Sequence, residues 1–297
     1  MTNSCCIWVV TPPDYAHSAA FNEVALGLQG GLQELGIHAP VVTRRNRISG
    51  KAIVLGANLL PELKGDRPPP KSILFNLEQI TPGSSWLTAA YIKLLRRYAV
   101  WDYSQYNIEQ LGKMGITGIT HCPIGFSEKL QRIEPSHEQD IDVLFYGSMN
   151  DRRLKILEEL VNAGLKVEVL FGVYGKHRDA VIARSKIVLN IHYYPAKIFE
   201  IVRISYLLAN RVCVVSEDSP ADRALESVQD GIIQAPYGRL AEKCRELIDN
   251  GMWKIMAEKG FEVFAGNRQS GYLQNALDCN GKVHLQLRTN AALSTTS

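Results

Sequence analysis

Apolar positions follow two patterns along the chain: short continuous apolar runs alternate with longer stretches in which apolar residues recur every three or four positions. The first run, Cys5–Val10, ends at a Thr-Pro-Pro turn as a buried parallel strand does, and helical spacing follows from Ser18 to Leu35. We predict further strands at 37–42, 51–55, 72–77, 100–103 and 119–122, with helices at 84–97 and 105–114. This alternation predicts one open α/β domain over residues 1–130.

The segment Pro123-Ile-Gly-Phe126 and the polar run at 134–140 separate this pattern from a second one and together form the best candidate linker. Beyond it we predict strands at 141–146, 167–171, 187–191, 212–216 and 231–234 with helices between them, then helices at 239–248 and 253–264. After Phe264 the periodicity is lost. The pattern predicts a second doubly wound, Rossmann-like domain over 131–270, followed by a helical extension over 271–297 that ends in a partly disordered tail.

Composition and charge narrow the class of protein. A net charge of +3 and a pI near 8.4 give no strong nucleic-acid signal, and the short cluster Arg44, Arg45 and Arg47 is typical of a solvated surface. The six cysteines show no C-x-x-C spacing, which favours buried reduced thiols over a metal or redox site. We expect no membrane span, no signal peptide and a cytoplasmic location. The oligomeric state is left open.

The chain from 142 to 217 carries the clearest candidate chemistry. Gly147 and Ser148 stand where a predicted strand turns into a helix with Arg152 in its first turn. We predict a second helix, led by Pro195, that carries Lys197, Glu200 and Arg203 along one face. Two helix starts at the carboxyl end of a parallel sheet would offer N–H groups and cations to a diphosphate. A solvated stripe of ion pairs is the alternative, and spacing alone does not decide between them.

The loop after the next strand is a second candidate contact for a nucleotide. Phe171, Gly172 and Tyr174 would hold the base by stacking or by backbone contacts, and a plain loop is an equally good interpretation. The only Asp-x-Asp spacing, Asp140-Ile-Asp142, is predicted to be surface acidity. We therefore predict no metal site.

The string Lys197-Ile-Phe-Glu-Ile-Val-Arg-Ile-Ser-Tyr-Leu-Leu-Ala-Asn-Arg-Val-Cys-Val-Val-Ser-Glu217 resembles the donor-binding half of the GT-B glycosyltransferases. The segments 17–23, 75–79 and 100–107 look like a bacterial branch of that family, and the similarity spans about residues 5–265. The resemblance implies two facing Rossmann-like domains. The C-terminal one would hold a nucleoside-diphosphate sugar, with Glu217 among its donor residues, and the N-terminal one would hold the acceptor.

One departure limits what the resemblance implies. Many retaining members carry a Glu-x7-Glu pair, and alignment on the strand at 210–215 puts Lys197 and Ser205 at those two positions. The usual sugar and ribose contacts, and the retaining stereochemistry, therefore do not carry over. We expect protein cations rather than a metal to stabilise the departing nucleoside diphosphate, with no cofactor besides the donor substrate.

Candidate acceptor residues follow strands of the first domain. His17 lies just past the first strand, where a neutral imidazole would take the proton of an acceptor hydroxyl, and Asp14 is the reserve base. Glu78 and Asp102 fall at strand ends and would bind acceptor hydroxyls or orient His17. The alternatives are a capping histidine, a turn-forming aspartate and helix caps.

Three functions remain open at this point. The leading one is a metal-independent glycosyltransferase that moves a sugar from a nucleotide sugar to a saccharide, lipid-linked or small-molecule acceptor. The second is the same chemistry on a protein or nucleic acid. The third is a non-catalytic sugar-nucleotide-binding module that partners a catalytic subunit, for which the missing Glu-x7-Glu pair gives some support.

Overall fold

The computed structural model describes residues 5–63, 67–81, 83–193, 197–220 and 223–279. The chain forms two compact units: one runs to Ile124 and resumes at Gln269, and the other is Gly125–Arg268. The first boundary lies a few residues before the predicted one. Phe126 already packs edge-to-face on two aromatic rings of the second unit and its N–H donates to the Asn267 carbonyl at 2.7 Å. The change of unit therefore falls within the Pro123–Phe126 part of the predicted linker and precedes the polar run at 134–140.

The first unit is built on a six-stranded parallel sheet in the order β2-β1-β3-β4-β5-β6. Its strands are β1 Cys5–Val9, β2 Val41–Val42, β3 Lys51–Leu55, β4 Ile73–Asn76, β5 Ala99–Asp102 and β6 Thr120–His121, and its helices include α1 Asn22–Glu34, α2 Ala89–Arg97 and α3 Gln105–Lys113. The order reverses at β1, so the prediction of a doubly wound domain is confirmed.

The second unit contains a five-stranded parallel sheet in the order β11-β10-β9-β7-β8. The strands are β7 Ile141–Tyr146, β8 Val167–Leu170, β9 Ser185–Asn190, β10 Cys213–Glu217 and β11 Ile233–Ala235; the helices are α4 Asp151–Asn162, α5 Gly175–Ala183, α6 Ile201–Ala209, α7 Arg223–Glu226, α8 Leu240–Asp249 and α9 Trp253–Ala265. The chain leaves β7 toward one edge of the sheet and returns as β9 on its other side. This reversal between β7 and β9 is the topological switch point, where sheets of this kind bind ligands.

Two helices of the first unit begin later than the pattern predicts. The stretch from 18 to 35 divides into a 3-10 helix, Ala16–Phe21, and α1. Helix α2 begins at Ala89 rather than near 84, because the Thr88 hydroxyl caps it by accepting from the Tyr91 N–H at 3.1 Å. Local capping chemistry therefore sets the start of α2 within a correctly predicted helix.

Residues 269–279 form a further helix, α10, within the first unit, in line with the predicted helical extension although the sequence after Phe264 shows no helical period. Its residues Leu273 and Ala276 are completely buried. A Cβ at Gly31 of α1 would stand 2.9 Å from Leu273 Cδ1, so the two helices pack closely enough to require glycine there. The remainder of the predicted extension, 280–297, lies outside the described residues.

Five of the six cysteines are buried and free of disulfides, as predicted, whereas Cys279 is exposed. Burial raises the pKa of the Cys6 thiol to about 11 and that of the Cys213 thiol to about 12, so both stay protonated at neutral pH. Among the described residues no helix has the length and apolar character needed to cross a membrane.

Candidate functional site

Polar side chains gather at the carboxyl edge of the second sheet around its switch point. Gly147 follows β7, Asn190 and His192 stand at the end of β9, and Glu217 ends β10, which is the next strand in the sheet. Asn190, His192 and Glu217 are almost completely buried, although the ends of strands usually meet solvent. Buried polar groups of this kind are held in hydrogen-bonded networks, and the network here defines the site.

Gly147 forms a sharp corner between β7 and α4. Its φ of +143° favours glycine, and a Cβ there would stand 3.1 Å from Arg203 Nη2. The Gly147 N–H donates to the Leu170 carbonyl at 3.0 Å, whereas the N–H groups of Ser148 and Met149 make no hydrogen bond within the described part of the chain. These two donors lie just before the N-cap of α4, and with a guanidinium beside them they form a cradle that fits an anion.

Arg153, which the sequence did not single out, holds this corner from inside. The guanidinium is only 2% exposed and donates to the Ser148 carbonyl at 2.8 Å and, through Nε and Nη2, to the Ile191 carbonyl, with the Nε bond at 2.9 Å. Glu200 Oε1 lies 3.7 Å from Nη2. Burial lowers the pKa of Arg153 to about 10, so the side chain remains charged at neutral pH. One buried cation therefore connects the loops that follow β7 and β9.

Glu217 organises two further cations. Its side chain is completely buried; it accepts from Arg152 Nη1 at 2.6 Å, pairs with Arg152 Nη2, and accepts from Lys197 Nζ at 2.8 Å. The His192 N–H donates to the same carboxylate at 3.2 Å. Burial favours a higher pKa for Glu217, but the hydrogen bonds from Arg152 and Lys197 outweigh it and hold the pKa below its usual value. The carboxylate therefore stays ionised and fixes both cations.

The predicted Pro195-led helix carrying three functional side chains is wrong. Helix α6 begins at Ile201, Glu200 precedes it, and only Arg203 lies within it; Pro195 is outside the described residues. Lys197 has a φ of +49°, which is not a right-handed helical conformation. The adjacent residues Ile198 and Phe199 are both buried, so this stretch is held by packing into the core.

The side chains of Arg203 and Glu200 nevertheless lie together beside the Gly147 corner. Arg203 Nη1 lies 3.6 Å from Glu200 Oε2 and 3.4 Å from Asn190 Oδ1, and its guanidinium stands 5.2 Å from the centre of the Tyr146 ring. The remaining guanidinium donors of Arg203 make no hydrogen bond among the described residues. Arg203 is therefore the cation of the corner with the most unused hydrogen-bonding capacity.

The ion-paired network around Gly147 and Glu217 carries an excess of positive charge. The cations are Arg152, Arg153, Lys197 and Arg203, and the anions are Glu200 and Glu217, which gives four minus two, or +2. Burial lowers the pKa of His192, so its imidazole, which meets the Ser219 hydroxyl at 2.9 Å, is neutral at pH 7. The site therefore suits a dianionic group.

The loop after β8 places its predicted residues at the same edge of the sheet. Phe171 is 61% exposed, Gly172 has a φ of +69°, and half-buried Tyr174 stands at the start of α5. An exposed aromatic ring of this size at a strand end is suited to stacking on a planar ligand. The role of this loop stays a prediction.

The acidic pair Asp140 and Asp142 is held by ion pairs on two different neighbours. Asp140 Oδ2 lies 2.5 Å from Arg184, and Asp142 Oδ1 lies 2.6 Å from Lys186. Asp140 is partly exposed at the surface, in line with the prediction, but Asp142 is buried. In the described ranges no group of three or more His, Cys, Asp or Glu side chains is placed to bind a metal.

The candidate bases of the first unit lie in the loop that follows β1, beside the reversal between β1 and β3. His17 is exposed within the 3-10 helix and meets the Tyr15 ring edge-on at 5.4 Å between ring centres. Asp14 is exposed and has a φ of +59°, a conformation that aspartate tolerates in turns. Both side chains are accessible to a substrate at the carboxyl edge of this sheet.

The side chains of Glu78 and Asp102 differ in their exposure to solvent. Glu78 is partly buried and Oε1 accepts from Asn58 Nδ2 at 3.1 Å; burial raises the pKa of Glu78 to about 7 against the effect of that bond. Asp102 is completely buried, and its oxygens accept from Asn76, Asn107 and the Ser104 N–H. Burial raises the pKa of Asp102 to about 7 as well. Asp102 therefore shapes the loop after β4, and its burial argues against the predicted contact with an acceptor.

The sequence missed Arg153, Asn190 and His192. Arg153 is adjacent to the predicted Arg152 but points into the core, and helical phase alone could have shown that the two side chains leave α4 in different directions. Asn190 and His192 follow an apolar run at the end of a predicted strand, which is the position that the topology marks for ligands. Their location at the strand end was therefore the available signal.

No protein-family profile matches the chain. Protein sequences with significant similarity include two uncharacterized proteins of Acanthamoeba polyphaga mimivirus. Protein L138 is 31% identical over 145 residues, 46% of this chain and 16% of L138; protein L140 is 29% identical over 186 residues, 60% of this chain and 59% of L140. The chain thus spans less than two thirds of either relative. Because these relatives are viral, the predicted bacterial branch gains no support.

Solved structures resemble the chain over nearly its whole length. HepE of Anabaena, in complex with UDP-glucose, superposes with a TM-score of 0.58 at 11% identity, covering 95% of this chain and 99% of HepE. A T4 phage BGT mutant in complex with UDP-glucose gives a TM-score of 0.56 at 14% identity, covering 92% and 99%. Sucrose-phosphate synthase of Thermosynechococcus elongatus gives 0.55 at 13% identity, covering 97% and 100%. With two parallel-sheet α/β units that match these proteins, the chain has the GT-B glycosyltransferase fold.

Proposed function

We propose that the chain is a glycosyltransferase that moves a sugar from a nucleoside-diphosphate sugar to an acceptor hydroxyl without a metal ion. The observation that carries the proposal is the Arg203 guanidinium beside Gly147: most of its donors, and two N–H groups at the same corner, make no hydrogen bond among the described residues. The fold and the switch-point location support it, because α/β sheets bind ligands at this position.

The chemistry follows from the excess charge. Cleavage of the bond between the anomeric carbon and the phosphate oxygen leaves the bonding electron pair on the nucleoside diphosphate, so groups that bind this increasing negative charge lower the barrier. Arg203 and the N–H groups of Ser148 and Met149 would contact the diphosphate. Lys197, which is 40% exposed, would add a second cation while Glu217 orients it. Arg152 is engaged by Glu217 and acts through the same network.

The nucleotide base would lie near the loop after β8, where the Phe171 ring is exposed for stacking and Gly172 and Tyr174 complete the loop. Glu200 would accept from a ribose hydroxyl. One of its buried oxygens, Oε2, makes no hydrogen bond within the described residues, and Arg203 lies 3.6 Å from it. A carboxylate oxygen with spare acceptor capacity suits a sugar hydroxyl.

On the acceptor side, we assign His17 as the general base and Asp14 as the reserve base. The base would remove the acceptor proton as the hydroxyl oxygen attacks the anomeric carbon. Glu78 would bind an acceptor hydroxyl, with Asp102 supporting the loop that carries Glu78. A saccharide, a lipid-linked sugar or a small molecule is the acceptor class, and a cytoplasmic location is consistent with five buried free thiols.

UDP-glucose is the first donor to test, because HepE and the T4 phage BGT mutant were solved with it. We expect UDP to raise the melting temperature in the presence of EDTA, since a ligand that binds only the folded state stabilises it. Arg203→Ala should abolish this shift. The matched control, Arg184→Ala, removes an arginine that is ion-paired to Asp140 beside the opposite end of β9, and it should keep the shift.

Two results would contradict the proposal in different ways. An undiminished shift in Arg203→Ala would remove Arg203 from the site. Failure of any nucleoside diphosphate, including UDP, GDP, dTDP and their sugars, to stabilise the wild-type protein would remove the donor site itself. Slow release of UDP from UDP-glucose, lost in His17→Ala while the thermal shift persists, would separate the general base from the donor contacts.

A further inference from the structure

The positive charges of the first unit have an arrangement unlike those of the second. In the second unit, the basic residues at the sheet edge and on the helices are mostly ion-paired, as in Arg184–Asp140, Arg211–Glu258 and Arg245–Asp249. In the first unit none of the ten described Lys and Arg side chains forms an ion pair with a described carboxylate, and eight of them lie in the segments that lead into β3, β4 and β5: Arg44, Arg45, Arg47, Lys51, Arg67, Lys71, Arg96 and Arg97. We call these eight the basic surface.

The eight cations lie in three segments that share one end of the sheet. Residues 44–51 lead into β3, 67–71 lead into β4, and 96–97 lead into β5. These three strands are neighbours in the order β3-β4-β5, so their amino ends lie about 5 Å apart from one strand to the next. The basic surface is therefore at the amino edge of the sheet, away from the carboxyl edge where His17 and Glu78 lie.

Two hydrogen bonds join the three segments into one surface. Arg45 Nε donates to the Arg67 carbonyl at 2.7 Å, and the Tyr98 hydroxyl donates to the Pro68 carbonyl at 3.0 Å. These contacts bring the segments before β3, β4 and β5 side by side. Glu62 and Asp66 are the acids nearest to the segments in the sequence, and Asp66 is outside the described residues.

Helix capping explains only part of this charge. Arg96 and Arg97 stand in the last turn of α2, where cations interact favourably with the helix dipole. The six cations at 44–51 and 67–71 follow no α-helix end. They gather like charges on one surface, which raises their mutual repulsion, and a polyanion would relieve that repulsion.

We propose that the basic surface docks the protein on an anionic membrane surface, with the guanidinium and ammonium groups contacting lipid headgroup phosphates. Clustered Lys and Arg side chains are the usual basis for binding acidic lipids. A single-stranded nucleic acid fits less well, because such ligands are bound by exposed aromatic side chains that stack on bases. Among the described residues, the exposed large hydrophobic and aromatic side chains all lie in the second unit.

The test is cosedimentation of the full chain with vesicles of phosphatidylcholine alone and with vesicles that also contain phosphatidylserine. We expect binding to the second kind only, weakening as salt is added. The variant Arg47→Glu, Arg67→Glu, Arg97→Glu reverses one exposed charge in each segment and should weaken binding by about a hundredfold or more.

The control variant, Lys155→Glu, Lys166→Glu, Lys259→Glu, makes the same change in net charge on exposed lysines of the second unit and should bind like the wild type. Circular dichroism should show both variants folded. Equal loss of binding in the two variants would overturn the proposal, as would wild-type protein that ignores phosphatidylserine. Tighter binding to an RNA or DNA duplex than to vesicles at the same ionic strength would also overturn it, in favour of a nucleic-acid surface.

Discussion

The substitution Arg153→Met tests whether one buried guanidinium holds the corner of the donor site. Methionine fills most of the volume but removes the charge and all the donors, so the carbonyls of Ser148 and Ile191 lose their partner. An unpaired buried acceptor costs about 1–3 kcal/mol. Glu200 also loses a cation 3.7 Å away. We therefore expect Arg153→Met to lower the free energy of unfolding by about 3–5 kcal/mol in total.

This loss should appear in the second unit, Gly125–Arg268, as a melting transition lowered by roughly 10 °C. The matched control is Arg184→Met, in which an ion-paired arginine with a half-exposed side chain is removed from the same unit. Exposed ion pairs contribute little to stability, so Arg184→Met should lower the free energy of unfolding by less than about 1 kcal/mol. Urea unfolding of both variants measures the difference. Equal, small losses in the two variants would show that burial of the guanidinium does not stabilise the corner.

Two further substitutions test the first unit and the chain that enters the second. Glu78→Gln keeps an acceptor for Asn58 but removes the titrating group. Because burial raises the pKa of Glu78 from 4.5 to about 7, the folded state binds the proton more tightly, and its stability falls as pH rises through this range, by at most about 3 kcal/mol. In urea unfolding, the variant should therefore be more stable than wild type at pH 8 and similar to it at pH 5. An equal difference in stability between variant and wild type at both pH values would contradict the raised pKa of Glu78. Asn210→Ala removes four hydrogen bonds, three of them to the backbone of 130–133, so it should cost about 2–4 kcal/mol and speed proteolysis of that segment. An unchanged cleavage rate would show that this segment is held by other contacts.

The local pattern of apolar residues was sufficient to predict the strands of both sheets. Runs such as 51–55 and 141–146 are apolar at nearly every position, as strands covered on both faces must be, and the structure places β3 and β7 at those bounds. The local pattern was insufficient where tertiary packing overrides the tendency of a segment to form a helix. The residues from Lys197 to Glu200 have helical spacing, yet tertiary contacts hold them outside α6.

Hydrophobic periodicity predicts the number of strands, their order along the chain and the two α/β units, because it records which faces of each element are buried, and the segment from Lys197 to Glu217 carries the GT-B resemblance. Which charges meet, by contrast, depends on the three-dimensional arrangement. Glu217 lies 65 positions from Arg152, and the Ile191 carbonyl lies 38 positions from Arg153, so no local spacing encodes these contacts. They arise because parallel strands bring distant residues to one edge of a sheet, where burial removes water and leaves each charge dependent on its protein partners.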